Sequence, residues 1–182
     1  ATIGTGSAIG TIRNDDNRVD IAATSADKAE ANTGTSTGFT FTVTRVGNLG
    51  QSATVDWIVT GSGSSPTDAA DFSGYGGQMP AGTVSFGVNG SSQVITVNVL
   101  GDDLVETDEQ FTVRLTNPVG TTIGTASAIG TIRNDDTVPV INIVAVSATT
   151  LEGSTGNLTA FTFTVSRTGS WGASATVNWA VS

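Results

Sequence analysis

The sequence has no cysteine, no histidine and only one lysine, Lys28. Without cysteine the chain can form no disulfide bond, no thiolate metal site and no thiol nucleophile. Without histidine it lacks the commonest general base and the commonest ligand of transition metals. Seven basic residues stand against sixteen acidic ones, a net charge of −9, so we expect no basic patch that would bind nucleic acid.

Long apolar runs are also missing. No stretch approaches the roughly 18 apolar residues that a membrane span requires, and the N-terminus lacks the charged-then-apolar pattern of a signal peptide. No window has the sustained apolar spacing of a helix. Glycine is frequent, with 23 residues, and serine and threonine separate short apolar segments, which is typical of strands and turns. We therefore expect an all-β protein whose residue 1 lies inside a longer chain.

Two segments of the chain occur twice. The first, ATIGTGSAIGTIRNDD at residues 1–16, returns as TTIGTASAIGTIRNDD at residues 121–136, with 14 of 16 positions identical at an offset of 120. The second, residues 39–60, has a similar counterpart at residues 161–182, at an offset of 122. This self-similarity indicates tandem repeats of about 120 residues joined by tight linkers. We predict the end of one repeat at 1–16, a complete repeat at 17–136 and the front of the next at 137–182.

Apolar and polar residues alternate in seven short segments. Phe39, Phe41 and Val43, for example, are separated by threonines. Alternation with a period of two predicts strands with one buried face, and seven such strands are typical of an antiparallel β-sandwich. The predicted inward residues are Val19, Ile21, Phe39, Phe41, Val43, Val55, Trp57, Val59, Val84, Phe86, Ile95, Val97, Val99, Phe111, Val113 and Leu115, with residues 128–132 as the closing strand.

Many acidic residues fall in a few loops at strand ends. Two carboxylates about 5 Å apart would repel each other by roughly 3 kcal/mol at an effective dielectric constant of about 20. A calcium ion, which takes about six to eight oxygen ligands, would reverse the sign of that term. A solvated acidic rim is the alternative interpretation, and Asp108 and Glu109 are left out of the ligand set as surface charges. The loop acids of interest are Glu30, Asp71, Asp102, Asp103, Glu106, Asp135 and Asp136.

Four segments together resemble the Calx-beta motif. They are DF at Asp71–Phe72, GTVSF at Gly82–Phe86, GDDLVETDEQFTVRL at Gly101–Leu115 and AIGTIRNDD at Ala128–Asp136. The family includes the calcium-binding domains of sodium–calcium exchangers and domains of giant bacterial surface proteins. The resemblance implies a seven-stranded immunoglobulin-like sandwich with Ca²⁺ at one end. The ligands that it implies are Glu30, Asp71, Asp102, Asp103, Glu106, Asp135 and Asp136. The chain departs from the motif at Asn134, where an amide replaces one carboxylate of a triple-acid run.

Three classes of function fit this composition to different degrees. Near-identical repeats with short linkers favour a calcium-binding structural array in an extracellular fibre, surface protein or adhesin, with neighbouring repeats as partners. Self-association of such arrays into fibres is a further option that the composition allows. A second hypothesis is an adhesion module that binds a glycan or a surface protein, with Trp171 and Tyr75 as candidate contacts. An enzyme is not expected, because the acids have no histidine or cysteine beside them and no GxSxG nucleophile motif occurs.

Overall fold

The computed structural model describes residues 1–12 and 16–181, and its regular secondary structure is almost entirely strand. No helix in these ranges is long and apolar enough to cross a membrane. One short 3₁₀ turn spans Ala69–Asp71. The strands are β1 (Arg18–Ser25), β2 (Asp27–Ala29), β3 (Ser36–Val46), β4 (Ala53–Ser62), β5 (Ala81–Phe86), β6 (Ser92–Leu100), β7 (Glu109–Val119), β8 (Thr122–Ile123), β9 (Ser127–Arg133), β10 (Val140–Ser147) and β11 (Thr162–Thr168).

Strands β1 to β9 form two sheets that pack face to face. One sheet has the order β6-β3-β1-β8 and the other the order β2-β9-β7-β4-β5. Residues from both sheets contribute to one core of buried side chains, as the alternation of apolar residues predicts. The prediction of an all-β, immunoglobulin-like sandwich is therefore confirmed. Its seven predicted strands become nine because the first strand is divided into β1 and β2 and the two-residue β8 is added.

The first strand is divided between the two sheets, which the alternation pattern did not predict. β1 pairs with β3 up to Ser25, and the chain then crosses over at the buried Ala26. After the crossing, β2 pairs with β9 in parallel, and the Thr131 amide donates to the Ala26 carbonyl oxygen at 2.7 Å. β1 and the two-residue β8 form a second parallel pair. The paired strands of the sandwich are thus antiparallel except for the pairs β1–β8 and β2–β9.

Phe111 lies at the centre of the core. The rings of Phe39, Phe41 and Phe72 meet it edge to face, with centroids 5.7, 5.9 and 5.5 Å away. Such pairs are favourable beyond the area that they bury. Gly130 lies against the ring, and a Cβ atom there would stand only 2.3 Å from Cζ of Phe111. The glycine of the repeated AIGTI segment is therefore required by packing rather than by backbone conformation.

Strands β10 and β11 repeat the pairing of β1 and β3. Arg18 pairs with Val46, and Val140 pairs with Thr168, each partner 122 positions later. Even the register shift recurs, after Ala23 in the first pair and after Ala145 in the second. The second hairpin has no opposing sheet among the described residues, and its apolar side chains are exposed, with Phe161 and Phe163 each 52% accessible.

Candidate metal centre

Strand pairing brings the ends of several strands to one end of the sandwich. The last residue of β2, Ala29, pairs with the last residue of β9, Arg133. The last residue of β6, Leu100, pairs with the first residue of β3. The first residue of β7, Glu109, pairs with Ile132 of β9. The acidic segments that follow β2, β6 and β9 and precede β7 therefore meet, although they are far apart in sequence.

Three carboxylates form a tight group at this end, which we call the acidic centre: Glu30, Asp102 and Asp136. One oxygen from each lies within 4.8 Å of the others. Glu30 and Asp136 are only 7% and 8% accessible, which is unusual for acids because burial penalises their charged form. Three converging carboxylates, two of them buried, are a costly arrangement unless a cation or bound protons compensate for the charge.

Burial and like charges act together on Glu30. Desolvation, followed by the charges of Asp102, Glu106, Asp136 and Asp135, raises the pKa of Glu30 to about 7. The ordinary value for a glutamate is 4.5. Near neutral pH, the centre therefore either holds a proton on Glu30 or accumulates negative charge that a cation would stabilise.

A second group of carboxylates flanks the acidic centre and consists of Asp71, Glu106 and Glu109. Burial and the charges of Asp71, Glu106 and Asp68 raise the pKa of Glu109 to about 7, and Asp71 hydrogen-bonds to it. Burial also raises the pKa of Asp71 and that of Glu106, and the charge of Asp102 adds to both shifts. The two groups are thus electrostatically connected through Asp102.

Glu109 was missed in the candidate ligand set, although the sequence contains a signal for it. It stands two residues before Phe111 and shares the inward phase of Phe111, Val113 and Leu115 on β7. The alternation that places those three side chains in the core also turns Glu109 inward at the strand end. Asp108, one position away, points to the surface and pairs with Arg133.

Arginine compensates the acids outside the centre but not those inside it. Arg133 forms a two-pronged contact with Asp27, at 2.7 and 2.8 Å, and a third contact with Asp108 at 2.7 Å. None of the ion pairs found in residues 1–12 and 16–181 includes a member of either acidic group. Oδ2 of Asp136 is buried and has no hydrogen-bond partner. A buried carboxylate oxygen without a hydrogen-bond partner needs an explanation, and coordination to a cation would supply one.

Two of the sequence-derived candidates, Asp103 and Asp135, lie outside both acidic groups. The side chain of Asp103 accepts a hydrogen bond from Asn32 at 3.3 Å, and its carbonyl oxygen accepts one from the Gly172 amide. Asp135 is exposed, although its charge contributes to the pKa shift of Glu30. The assignment of Glu30, Asp71, Asp102, Asp103, Glu106, Asp135 and Asp136 as ligands stays a prediction. The preceding copy of this motif includes Asp15, which lies outside the described residues.

Asn134 organises the loops around the acidic centre. Its Oδ1 accepts a hydrogen bond from the Glu106 amide at 3.2 Å, and its Nδ2 donates to the Asp136 carbonyl oxygen at 3.1 Å. A carboxylate at this position could accept the first bond but could not donate the second. The departure from a triple-acid run therefore exchanges one negative charge for a clamp between the segments that carry Glu106 and Asp136.

Close backbone contact fixes the position of Glu30. Ala31 has a φ of +79°, a left-handed conformation that is unfavourable for a residue with a side chain. The adjacent loop crosses it at the buried Gly101, where a Cβ atom would lie 2.2 Å from the Ala31 carbonyl oxygen. Because only glycine permits this crossing, the Glu30 and Asp102 segments are held together.

The donors at this end suit a hard cation. They are carboxylate oxygens, which Ca²⁺ and Mg²⁺ prefer, whereas zinc and copper favour the thiolate and imidazole ligands that the sequence lacks. The buried unpartnered oxygen of Asp136 and the raised pKa values of the glutamates fit the same ion. Glu30, Asp102 and Asp136 would hold it, with Asp71, Glu106 and Glu109 as further oxygen donors.

Comparisons with known proteins agree with this architecture. The chain resembles the crystal structure of the apo-form Calx CBD1 domain, with a TM-score of 0.53 and 23% identity over 66% of this chain and 98% of that one. It also resembles the Calx CBD2 domain, with a TM-score of 0.53 and 14% identity over 69% of this chain and 91% of that one. At these identities, the likeness shows the fold alone.

A relative in sequence is Extracellular matrix protein 3 of Lytechinus variegatus. It is 37% identical over 78 residues, which are 41% of this chain and 2% of that protein. The chain therefore spans a very small part of this relative's length.

The family model of the Calx-beta domain matches residues 14–136, which is more than half of the chain. Calx-beta domains bind Ca²⁺ and serve regulatory or structural roles rather than catalysis. The matched range contains both acidic groups and all nine strands of the sandwich. The chain belongs to the Calx-beta domain family.

Proposed function

We propose that the repeat spanning residues 17–136 binds Ca²⁺ at the acidic centre and that bound calcium stabilises the loops at this end of the sandwich. The observation that carries the proposal is the convergence of Glu30, Asp102 and Asp136 within 4.8 Å. No arginine or lysine pairs with these three among the described residues. The flanking Asp71, Glu106 and Glu109 add oxygen donors. The number of donors therefore approaches the coordination number of calcium, which is about six to eight.

A solvated acidic rim explains the arrangement less well. Rim carboxylates are exposed and keep ordinary pKa values, because water screens them from one another. Glu30 and Asp136 are instead buried, and the pKa of Glu30 rises to about 7. A protein that only needed surface charge for solubility would have no reason to bury two acids beside a third.

Calcium titration of the 182-residue chain tests this proposal. We expect calorimetric heat on calcium addition at neutral pH and a melting temperature that rises by about 5 °C or more at saturation. Magnesium serves as the comparison ion, because its demand for near-ideal octahedral geometry fits a pre-formed cage of several carboxylates less well. No heat, together with a melting temperature that is the same in calcium and in chelator, would refute calcium binding.

We further propose that the chain is a structural segment of an extracellular array. The matching registers of β1–β3 and β10–β11 support a tandem repeat. The linker between Asp136 and β10 has only three residues, Thr137 to Pro139, and Pro139 restricts its conformation. The similarity to Extracellular matrix protein 3 supports an extracellular setting. An ion at Asp136 would fix the direction in which the chain leaves the domain.

The alternative, a module that binds a glycan or a surface protein, has weaker support. Tyr75 packs against the core, and its hydroxyl donates a hydrogen bond to the Thr96 carbonyl oxygen at 3.3 Å. The Trp171 ring is exposed, but the guanidinium of Arg167 lies over it at 4.9 Å from the centroid. The Tyr75 ring is therefore held against the core, and one face of the Trp171 ring is covered by Arg167.

Small-angle scattering on three copies of residues 17–136, joined in tandem by their own linkers, tests the structural role. We expect a longer maximum dimension and a narrower distribution of shapes with calcium than with chelator, because repulsion among the acids would otherwise loosen the junctions. The measurement is made at low salt, where this repulsion is least screened. Identical curves under both conditions would show that calcium does not set the geometry of the array.

A further inference from the structure

The incoming linker packs against a glycine in the turn between β3 and β4. It does so again in the equivalent turn after β11. Gly47 has a φ of +96° and Gly169 a φ of +91°. A Cβ atom on Gly47 would lie 1.8 Å from the Asp16 carbonyl oxygen. A Cβ atom on Gly169 would lie 2.9 Å from the Val138 carbonyl oxygen and 3.0 Å from Cα of Pro139. At both junctions the linker thus crosses directly over the turn.

An arginine at the end of the preceding strand shapes each turn. Nη2 of Arg45 donates to the carbonyl oxygens of Asn48 and Gln51, at 3.2 and 2.6 Å. Nη2 of Arg167 donates to the equivalent carbonyl oxygens of Ser170 and Ala173, both at 2.7 Å. Arg45 is only 2% accessible. In both copies an arginine bonded to backbone carbonyls holds the turn in one conformation, although Arg167 is only half-buried.

At the second junction, the shaped turn hydrogen-bonds to the preceding repeat and its linker. The Ser170 hydroxyl donates to Oδ1 of Asp136 and accepts from the Thr137 amide, both at 2.9 Å. The Ser170 amide donates to the Thr137 carbonyl oxygen at 3.1 Å. The Gly172 amide donates to the Asp103 carbonyl oxygen, also at 3.1 Å. Gly172 is again required, since a Cβ atom there would stand 2.4 Å from that oxygen.

We propose that this turn is the docking element through which each repeat packs against the acidic end of the repeat before it. The partner that the surface fits is therefore another copy of the same repeat. Ser170 and Gly172 make the contact, and Arg167 is a positioning residue that presents them. At the first junction the equivalent turn contacts the linker differently, because Nε of Arg45 itself donates to Oδ1 of the linker residue Asn17 at 2.7 Å.

The docking contact does not need a bound ion. Its hydrogen bonds join backbone groups, one hydroxyl and one carboxylate oxygen, Oδ1 of Asp136, while Oδ2 of the same carboxylate is left for other partners. We therefore expect these hydrogen bonds to form in metal-free buffer as well, even where repulsion among the acids loosens the surrounding loops. This separates the docking element from the calcium proposal, which concerns the acidic centre and can fail independently.

Amide hydrogen exchange of the 182-residue chain, followed residue by residue by NMR, tests the docking element. In metal-free buffer we expect the amides of Thr137, Ser170 and Gly172 to be protected. Ser170→Ala removes the acceptor of the Thr137 amide, and we expect that amide to exchange about five- to tenfold faster. The matched control is Ser174→Ala, because Ser174 is exposed in the same segment and no side-chain hydrogen bond of it is found in the described chain.

A glycine pair gives a second, independent comparison. Gly169→Ala adds a Cβ atom against the linker, whereas Gly156→Ala adds one at a similar φ of +89° with nothing within 4 Å. We expect only the first variant to accelerate exchange at both Thr137 and Gly172. Three results would overturn the proposal: unprotected junction amides in the parent chain, protection that appears only with calcium, or equal behaviour of each variant and its control.

Discussion

Replacing Asp102 and Asp136 together by asparagine is expected to lower the calcium affinity of the repeat by about a hundredfold or more, because calcium affinity follows the number of charged ligands. The substitution removes two charges from the acidic centre without changing side-chain volume. Neither residue belongs to the apolar core, so the domain should stay folded. Oδ1 of the amide at position 136 can still accept the bond from Ser170, so the junction should also persist.

The same variant should be more stable than the parent protein in chelator. Burial and the charges of Asp102 and Asp136 raise the pKa of Glu30, and the substitution removes both charges. We therefore expect a higher melting temperature for the ion-free variant and a loss of the further rise that calcium gives the parent. Calorimetry measures the affinity, and thermal unfolding with and without calcium measures the stability.

The matched control removes the same number of charges from elsewhere in the domain. Asp20 accepts from the Thr125 amide and pairs with Arg18, and Asp56 accepts from Thr83 and Asn117. Asp20→Asn with Asp56→Asn should leave calcium affinity nearly unchanged. If both double variants weakened binding equally, net charge rather than the acidic centre would govern affinity, and the ligand assignment would be wrong.

The alternation of apolar residues was sufficient to predict the sandwich and most of its core. Phe39, Phe41 and Val43 are fully buried, as their spacing predicted. The crossover at Ala26 was not predictable, because it depends on pairing with β9, which lies about a hundred residues away in sequence. Trp57 was predicted to point inward and packs against the core, although it is only partly buried.

The acidic centre was partly accessible from sequence. Loop position and the family resemblance selected Glu30, Asp102 and Asp136, but they gave equal weight to Asp103, whose side chain hydrogen-bonds to Asn32 instead. Two adjacent acids in one loop point in different directions, and only the folded backbone decides which one joins the centre. The contributions of Asn134 and Ser170 were equally hidden, because each consists of hydrogen bonds to segments that are distant in sequence.

The pH dependence of the ion-free domain follows from the glutamates with raised pKa values. Glu30 and Glu109 have a pKa of about 7 in the folded protein, whereas the ordinary value is 4.5. Between these values, the folded state retains protons that the unfolded state releases, so stability falls as the pH rises from about 4.5 to about 7. The acids with lowered pKa values, such as Asp27, change the stability only at pH values below this window.

In metal-free buffer we therefore expect a melting temperature that is higher at pH 5 than at pH 8 by about 5 °C, a value reduced from the full shifts because solvent screens these groups. Saturating calcium should reverse the order, because its ligands must be deprotonated and acid weakens binding. Glu109→Gln should flatten the metal-free dependence, whereas Asp56→Asn should not. A metal-free domain that melted at a lower temperature at pH 5 than at pH 8 would show that the carboxylates at this end are neither buried nor mutually repelling, and the cation that they are proposed to bind would lose its physical basis.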